Sequence, residues 1–159
     1  MTEVLSAHAA LLFNAGGAMK DPKQVVKEFV AAHNRHDIVA LMSLLSEDSK
    51  MLDVAAPIPL NSKADVRRLY EMIFKSLPDI NFEITGMISE RNQVFAAFRT
   101  TGKGVGNWMG KDITGKPIDV FEGVFMQIEN GQIKNTMFYS DSATLTKQLG
   151  YQTAVSSKW

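Results

Sequence analysis

The chain changes its hydrophobic period near its midpoint. Up to about residue 76, apolar side chains recur at three- and four-residue spacing, and after Pro78 they alternate with a period of two. The first pattern marks amphipathic helices and the second marks strands. Asp21–Pro22 reads as an N-cap with proline at the first helical position. Val25, Val26, Phe29, Val30 and Ala32 then give an apolar stripe to a helix expected to run to about Arg35. Asp37 caps a second helix through Ile38, Leu41, Met42, Leu44 and Leu45. Met51 to Ala56 is a short apolar run interrupted by Asp53 and ended by Pro57 and Pro59. Ser62 caps a third helix, Lys63 to Ser76, with Val66, Leu69, Tyr70, Ile73 and Phe74 on one face. Pro78 ends it, because the residue before a proline is pushed out of the helical region.

In the second half, Ile80, Phe82 and Ile84 alternate with polar residues, and Val94, Ala96 and Phe98 form one face of a further strand. Ile118, Val120, Glu122, Val124, Met126 and Ile128 form one face of a long strand, although Phe121 and Phe125 make its other face apolar too. Ile133, Asn135, Met137 and Tyr139 are expected to share a face of the last strand. Asn130–Gly131 is a strong hairpin signal, Glu90 to Asn92 a looser turn, and Thr114 to Pro117 another. A short helix from Ala143 to Leu149 closes the pattern at Gly150. Helices first and strands afterwards predict an α+β fold, with one curved antiparallel sheet wrapped around three N-terminal helices. Residues 1–20 form a helical extension, 21–151 the domain and 152–159 a tail. Within the extension, Ala7 to Ala18 is mildly apolar but holds His8 and Asn14, and Glu3 precedes it with no Lys or Arg; this reads as an extra helix or a frayed arm rather than a secretory leader.

The composition removes several function classes. Seventeen basic residues balance seventeen acidic ones among 159, which argues against nucleic acid or an anionic membrane as a partner. No apolar run reaches the ~18 residues of a membrane span. The chain has no cysteine, so disulfides, thiolate catalysis and Cys-based metal sites are excluded, and a cytoplasmic setting fits.

The candidate chemistry is carried by acids in apolar surroundings. Asp53 sits among Met51, Leu52, Val54, Ala55 and Ala56, where desolvation would lift its carboxyl toward the range of a general base; if the strand merely alternates, Asp53 meets water, Arg67 or Arg68 instead. Glu122 is the one acid on the apolar face of the long strand, a second acid if that face lines a pocket. Tyr139 could donate its hydroxyl into such a cavity, and Asp141 is placed to cap the final helix. Trp108 and Met109 could cover the mouth of a cavity or simply pack. His33, His36 and Asp37 resemble a metal cluster, but a third strong ligand at suitable spacing is missing and no metal is expected. Gly102, Gly104 and Gly106 mimic a phosphate loop without the helix N-terminus that one requires, and are read as bends or bulges.

The segments His33–Asp37, Met51–Asp53, Leu77–Glu83, Gly106-x-x-x-Gly110 with Thr114–Lys116, Asn130–Ile133, and Tyr139-x-Asp141 followed by Gln148–Gly150 together resemble one family. The chain looks like a nuclear transport factor 2-like fold of the SnoaL-like superfamily of polyketide cyclases and ketosteroid isomerases, over roughly residues 21–151. The resemblance implies a cone-shaped barrel with an apolar cavity, homodimers through the outer sheet face, and proton transfer without metal or organic cofactor. Asp53 matches the isomerases' general base. Their oxyanion tyrosine would fall near Phe29 and their second oxyanion acid near Val124, with Glu122 one step away. The cyclases' His-Trp-Asp in the last strand reads Thr136–Met137–Phe138 here. Tyr70 or Tyr139 is then left to substitute as donor.

Two readings follow. In one, the protein is a cofactor-free isomerase, cyclase or hydrolase acting on a small apolar carbonyl-type molecule. Asp53 moves the proton, helped by Glu122 and by Tyr139 or Tyr70, in a pocket holding Phe29, Trp108, Val124, Met137 and Asp141. In the other, it is a non-catalytic small-ligand-binding or dimeric interaction module of the same fold.

Overall fold

The computed structural model describes residues 20–151. The helix expected over residues 1–19 and the tail 152–159 lie outside the described residues. Helix α1 (Pro22–Asn34) starts where expected, with the Asp21 carboxylate accepting from the Lys23 amide and Pro22 in the first turn. Helix α2 (Ile38–Ser43) is capped by Asp37 and stops two residues sooner than the apolar pattern suggests. Leu45 already belongs to strand β1 (Leu45–Asp53), so the strand is longer than its apolar end and carries the polar run Ser46 to Lys50. Strand β2 (Ala56–Leu60) contains both prolines that were expected to end the extended run. It is tolerated because β2 lies at the edge of the sheet, where the missing N–H leaves no ladder partner unsatisfied.

Helix α3 (Lys63–Ser76) has the expected bounds and the Ser62 cap. Strands β3 (Asn81–Glu90) and β4 (Gln93–Lys103) follow, then a two-residue pair β5 (Asn107–Trp108) and β6 (Lys111–Asp112). The long β7 (Pro117–Glu129) and β8 (Gln132–Ser140) turn at Asn130–Gly131, both at positive φ. Helix α4 (Ser142–Leu149) begins at the Asp141 cap and ends at Gly150 in the left-handed region. No described helix is long and apolar enough to cross a membrane.

Six strands form one curved sheet in the order β2-β1-β8-β7-β4-β3, antiparallel except for the β1–β8 pair. Helix α1 packs on β3 and β4, α3 on β1, and α4 on β7. The core between them is apolar, with Val25, Phe29, Leu41, Val66, Phe98, Val124 and Ile133 all fully buried. Each such side chain stabilises the fold by about 1.5–3 kcal/mol. The Asn34 side chain ties α1 to the sheet: its amide donates to Phe82 O at 2.9 Å and its oxygen accepts from Phe82 N at 2.8 Å. Beside it, His33 stacks on Phe82 with ring centroids 3.6 Å apart. His36 bonds the Ile80 carbonyl and Asp37 caps α2, so the three residues of the suspected metal cluster are each engaged separately.

One irregularity decides which residues reach the interior. In the β7–β8 ladder Gln127 pairs with Asn135 and Ile128 with Ile133, so Lys134 is an extra residue on β8. A bulge of this kind reverses the facing of everything beyond it. Ile133 points inward, and so does Thr136, three residues later. Met137 and Tyr139 therefore lie on the convex face, not on the face of Ile133 as strict alternation predicts, and Phe138 and Ser140 take the inner positions.

Candidate functional site

Inside the curve of the sheet, closed from the other side by α3 and α4, lies a cavity of about 340 Å³. Most of its wall is apolar. Leu69 and Ile73 come from α3 and Leu77 from its C-cap, Phe82 and Val120 from the sheet, and Leu149 from α4. Polar groups gather at one place on the sheet wall: Asp53 at the end of β1, Thr100 on β4, Glu122 on β7 and Ser140 at the end of β8, with Tyr70 of α3 also on the wall. Among the described lining residues there is no Lys, Arg or His.

The hydrogen bonds tie this group together. Thr100 Oγ1 donates to Glu122 Oε2 at 2.7 Å, and Ser140 Oγ donates to Asp53 Oδ2 at 3.1 Å. Asp53 Oδ1 accepts from the Ala55 amide at 2.9 Å, which shapes the β1–β2 turn and holds the carboxylate in place. Arg67 and Arg68 pair with Glu71 and Asp65, so neither holds Asp53. Burial pushes the Glu122 carboxyl above its ordinary range; Thr100 and Ser140 work against that, and the Asp53 charge adds to it. The Tyr70 phenol is 2% exposed and is raised far above its usual range, mainly by burial and further by Glu122. Its hydroxyl has no hydrogen-bond partner among the described residues, although it belongs to the cavity wall.

The mouth is formed by Met72, Trp108, Met109 and Leu145. Gly104 lets the segment before β5 pass close under Ile113, whose carbonyl oxygen would stand 2.2 Å from any Cβ there. The Tyr151 hydroxyl bonds Trp108 O, and Lys111 Nζ donates to Gly150 O, which fastens the β5–β6 hairpin to the end of α4.

Of the residues singled out from the sequence, Asp53, Glu122, Tyr70, Trp108 and Met109 meet at this cavity. The others do not. Tyr139 is 48% exposed on the convex face, where its hydroxyl meets Met137 Sδ at 2.9 Å. Asp141 is exposed and caps α4 through the Thr144 amide at 3.0 Å. Phe29 is buried in the core, edge-on to the Tyr70 ring at 6.1 Å, and Val124 is packed within the core. Sequence reasoning missed Thr100, Phe138 and Ser140. Thr100 was reachable, since it continues the inward series Val94, Ala96, Phe98; the other two depend on the bulge.

Fold and site define an α+β roll with a mainly apolar cavity, open at its mouth, and a carboxyl pair on its wall. A sequence model of the SnoaL-like polyketide cyclase family matches residues 23–149, and the chain belongs to that family. Solved structures of the same fold include AclR of Streptomyces galilaeus, 24% identical with a TM-score of 0.73 over 84% of this chain and 98% of that one. IdmH of Streptomyces antibioticus, a candidate polyketide cyclase, is 19% identical with a TM-score of 0.71 over 82% and 99%. A protein of Catenulispora acidiphila with a ketosteroid isomerase-like fold, solved with trimethylamine, is 16% identical with a TM-score of 0.68 over 80% and 93%. No curated protein matches the chain.

Proposed function

We propose that the protein is a cofactor-free enzyme of the isomerase or cyclase type, moving a proton beside the carbonyl of a small, apolar, uncharged molecule. Asp53 removes the proton from carbon. Glu122, biased toward its protonated form by burial, donates to the carbonyl oxygen, and the unpartnered Tyr70 hydroxyl supplies a second hydrogen bond to it. The observation that carries this reading is the Asp53–Ser140 contact beside Glu122 on the wall of an otherwise apolar cavity. The lack of a cation among the described lining residues disfavours carboxylate substrates, whose charge would meet Asp53 unscreened. Membership of the SnoaL-like family supports ring-closing or isomerising chemistry.

The test is solvent deuterium uptake α to the carbonyl across a panel of small cyclic ketones, 2-tetralone among them. Uptake that is lost in Asp53→Asn supports the reading. Uptake by no ketone, or uptake unchanged in that variant, removes it in favour of a non-catalytic ligand-binding module.

A homodimer through the convex sheet face belongs to the same proposal. Ile88, Phe95, Phe125 and Met137 stand in one register row across four strands, and Ile88 and Phe121 are 70% and 62% exposed. Such a row can meet its own copy about a two-fold axis without opposing like charges. Native mass spectrometry should show a dimer that Phe121→Glu converts to monomer; a monomeric wild type would exclude it.

A further inference from the structure

We propose that Ser140 is a proton bridge between Glu122 and Asp53, so that the two carboxyl groups hold one proton in common. Its part in turnover rests on the reading above, whereas the shared proton is a property of the resting protein.

Strand order makes the bridge possible. β8 lies between β1 and β7 in the sheet, so a β8 side chain is the kind that can stand between acids borne by those two strands. Ser140 is the direct cross-strand partner of Glu122, and it reaches Asp53 Oδ2 on the other side. A serine hydroxyl has one hydrogen. With that hydrogen on Asp53, the Ser140 oxygen can complete a bridge to Glu122 only as an acceptor, and a bridge of that kind places the proton on Glu122. Glu122 Oε2 is taken up by Thr100, leaving Oε1 for that proton, while both Asp53 oxygens accept hydrogen bonds, as an ionised carboxylate does. The elements facing the pair add no countercharge: α3 brings Tyr70, β4 brings Thr100, and α4 and the β5–β6 hairpin bring Leu145, Leu149 and Trp108. Two bare carboxylates in this wall would repel, so retaining one proton is the favourable state. Burial, the largest influence on Glu122, raises it and agrees with this placement, whereas a Ser140 hydroxyl turned from Asp53 to Glu122 would lower it.

The bridge also closes the cycle. During a ring closure by aldol addition, Asp53 takes a proton from the attacking carbon and Glu122 gives one to the acceptor carbonyl oxygen, which becomes a hydroxyl. Asp53 is then protonated and Glu122 ionised. One concerted shift, from Asp53 to Ser140 and from Ser140 to Glu122, restores the resting state with no net gain or loss of protons and no water.

Carboxyl carbon-13 NMR titration of the whole protein tests this, with Asp53→Asn and Glu122→Gln assigning the signals. In the wild type both resonances should move in both steps of a two-step titration, a criterion that needs no Ser140 variant. Loss of the hydroxyl in Ser140→Ala should bring the two steps closer by about one pH unit or more, and Ser140→Thr should restore the separation. Titrations of Ser140→Ala that superimpose on the wild type, or independent single-step curves in the wild type, overturn the bridge. A coupled titration in a protein that deuterates no ketone would sink the proposed reaction and leave the bridge standing.

Discussion

Tyr70 has a buried titratable group on either side of it, and the two have opposite fates. His33 lies edge-on to the Tyr70 ring at 5.8 Å, and Glu122 acts on the Tyr70 phenol through its charge. Burial drives both toward the neutral form: it lowers His33 to about 4 and raises Glu122. His33 sits among Phe74, Phe82 and Tyr70, with one contact to Asn34 at 3.3 Å and no partner for Nε2 among the described residues. Its imidazole is an aromatic packing element with nowhere to send a proton. Glu122 has hydroxyls on hand and open space before it. Burial sets the protonation state in both places. The hydrogen-bonded path and room for a ligand are what separate a site from a core.

The largest expected effect breaks the comparison on the cavity side. Asp53→Asn or Glu122→Gln should reduce the rate of ketone α-deuteration by about 10²–10⁴-fold, the usual worth of a positioned acid or base. His33→Phe should leave that rate within about twofold, because its neutral ring is replaced by a ring of similar shape. A His33→Phe loss as large as that of the acid variants would erase the distinction drawn between the two groups.

The next effect is in stability against pH. The His33 imidazole titrates near 6.5 when unfolded and near 4 when folded. Between those values the unfolded chain binds the proton more readily. Stability is therefore full above about pH 6.5 and falls as the pH drops toward 4, by about 3 kcal/mol in all. Glu122 has the opposite sign: its folded pKa is raised, so its contribution is lost as the pH rises through that value. Urea unfolding across pH 4–8 should show an acid limb that His33→Phe flattens. Glu122→Gln should steepen that limb, because it removes an opposing decline that begins at the ordinary carboxyl value of 4.5. An acid limb unchanged in His33→Phe would mean that another group unfolds the protein.

Much of this arrangement is legible in the sequence, for identifiable reasons. The helix starts at Asp21, Asp37 and Ser62 rest on local capping, which needs no knowledge of the remainder of the chain. The inward face of β7, including Glu122, follows from unbroken alternation. Asp53 stands out because a charge in an apolar run is conspicuous. What stayed hidden is what one inserted residue controls. Lys134 adds a step to β8, and both phases of that strand hold apolar residues, so nothing in the pattern tells Tyr139 from Ser140. The polar half of β1 was hidden for another reason: its pairing with β8 is a long-range contact that no local propensity reports.

The smallest expected effect sharpens that last point and turns on two tyrosines. Tyr70→Phe removes a hydroxyl that has no described partner and lies on the cavity wall. Folding should therefore lose little, within about 0.5 kcal/mol, because no hydrogen bond is broken. Turnover should fall by about 10-fold or more, since that hydroxyl would bond the developing oxyanion. Tyr139→Phe removes a hydroxyl from the convex face and keeps the ring, so melting temperature, oligomeric state and rate should all stay as in the wild type. The pair separates position from residue type, because both variants delete the same atom from the same kind of side chain. If Tyr139→Phe slowed turnover and Tyr70→Phe did not, strict alternation would be right about the last strand, and the bulge at Lys134 would not exist in solution.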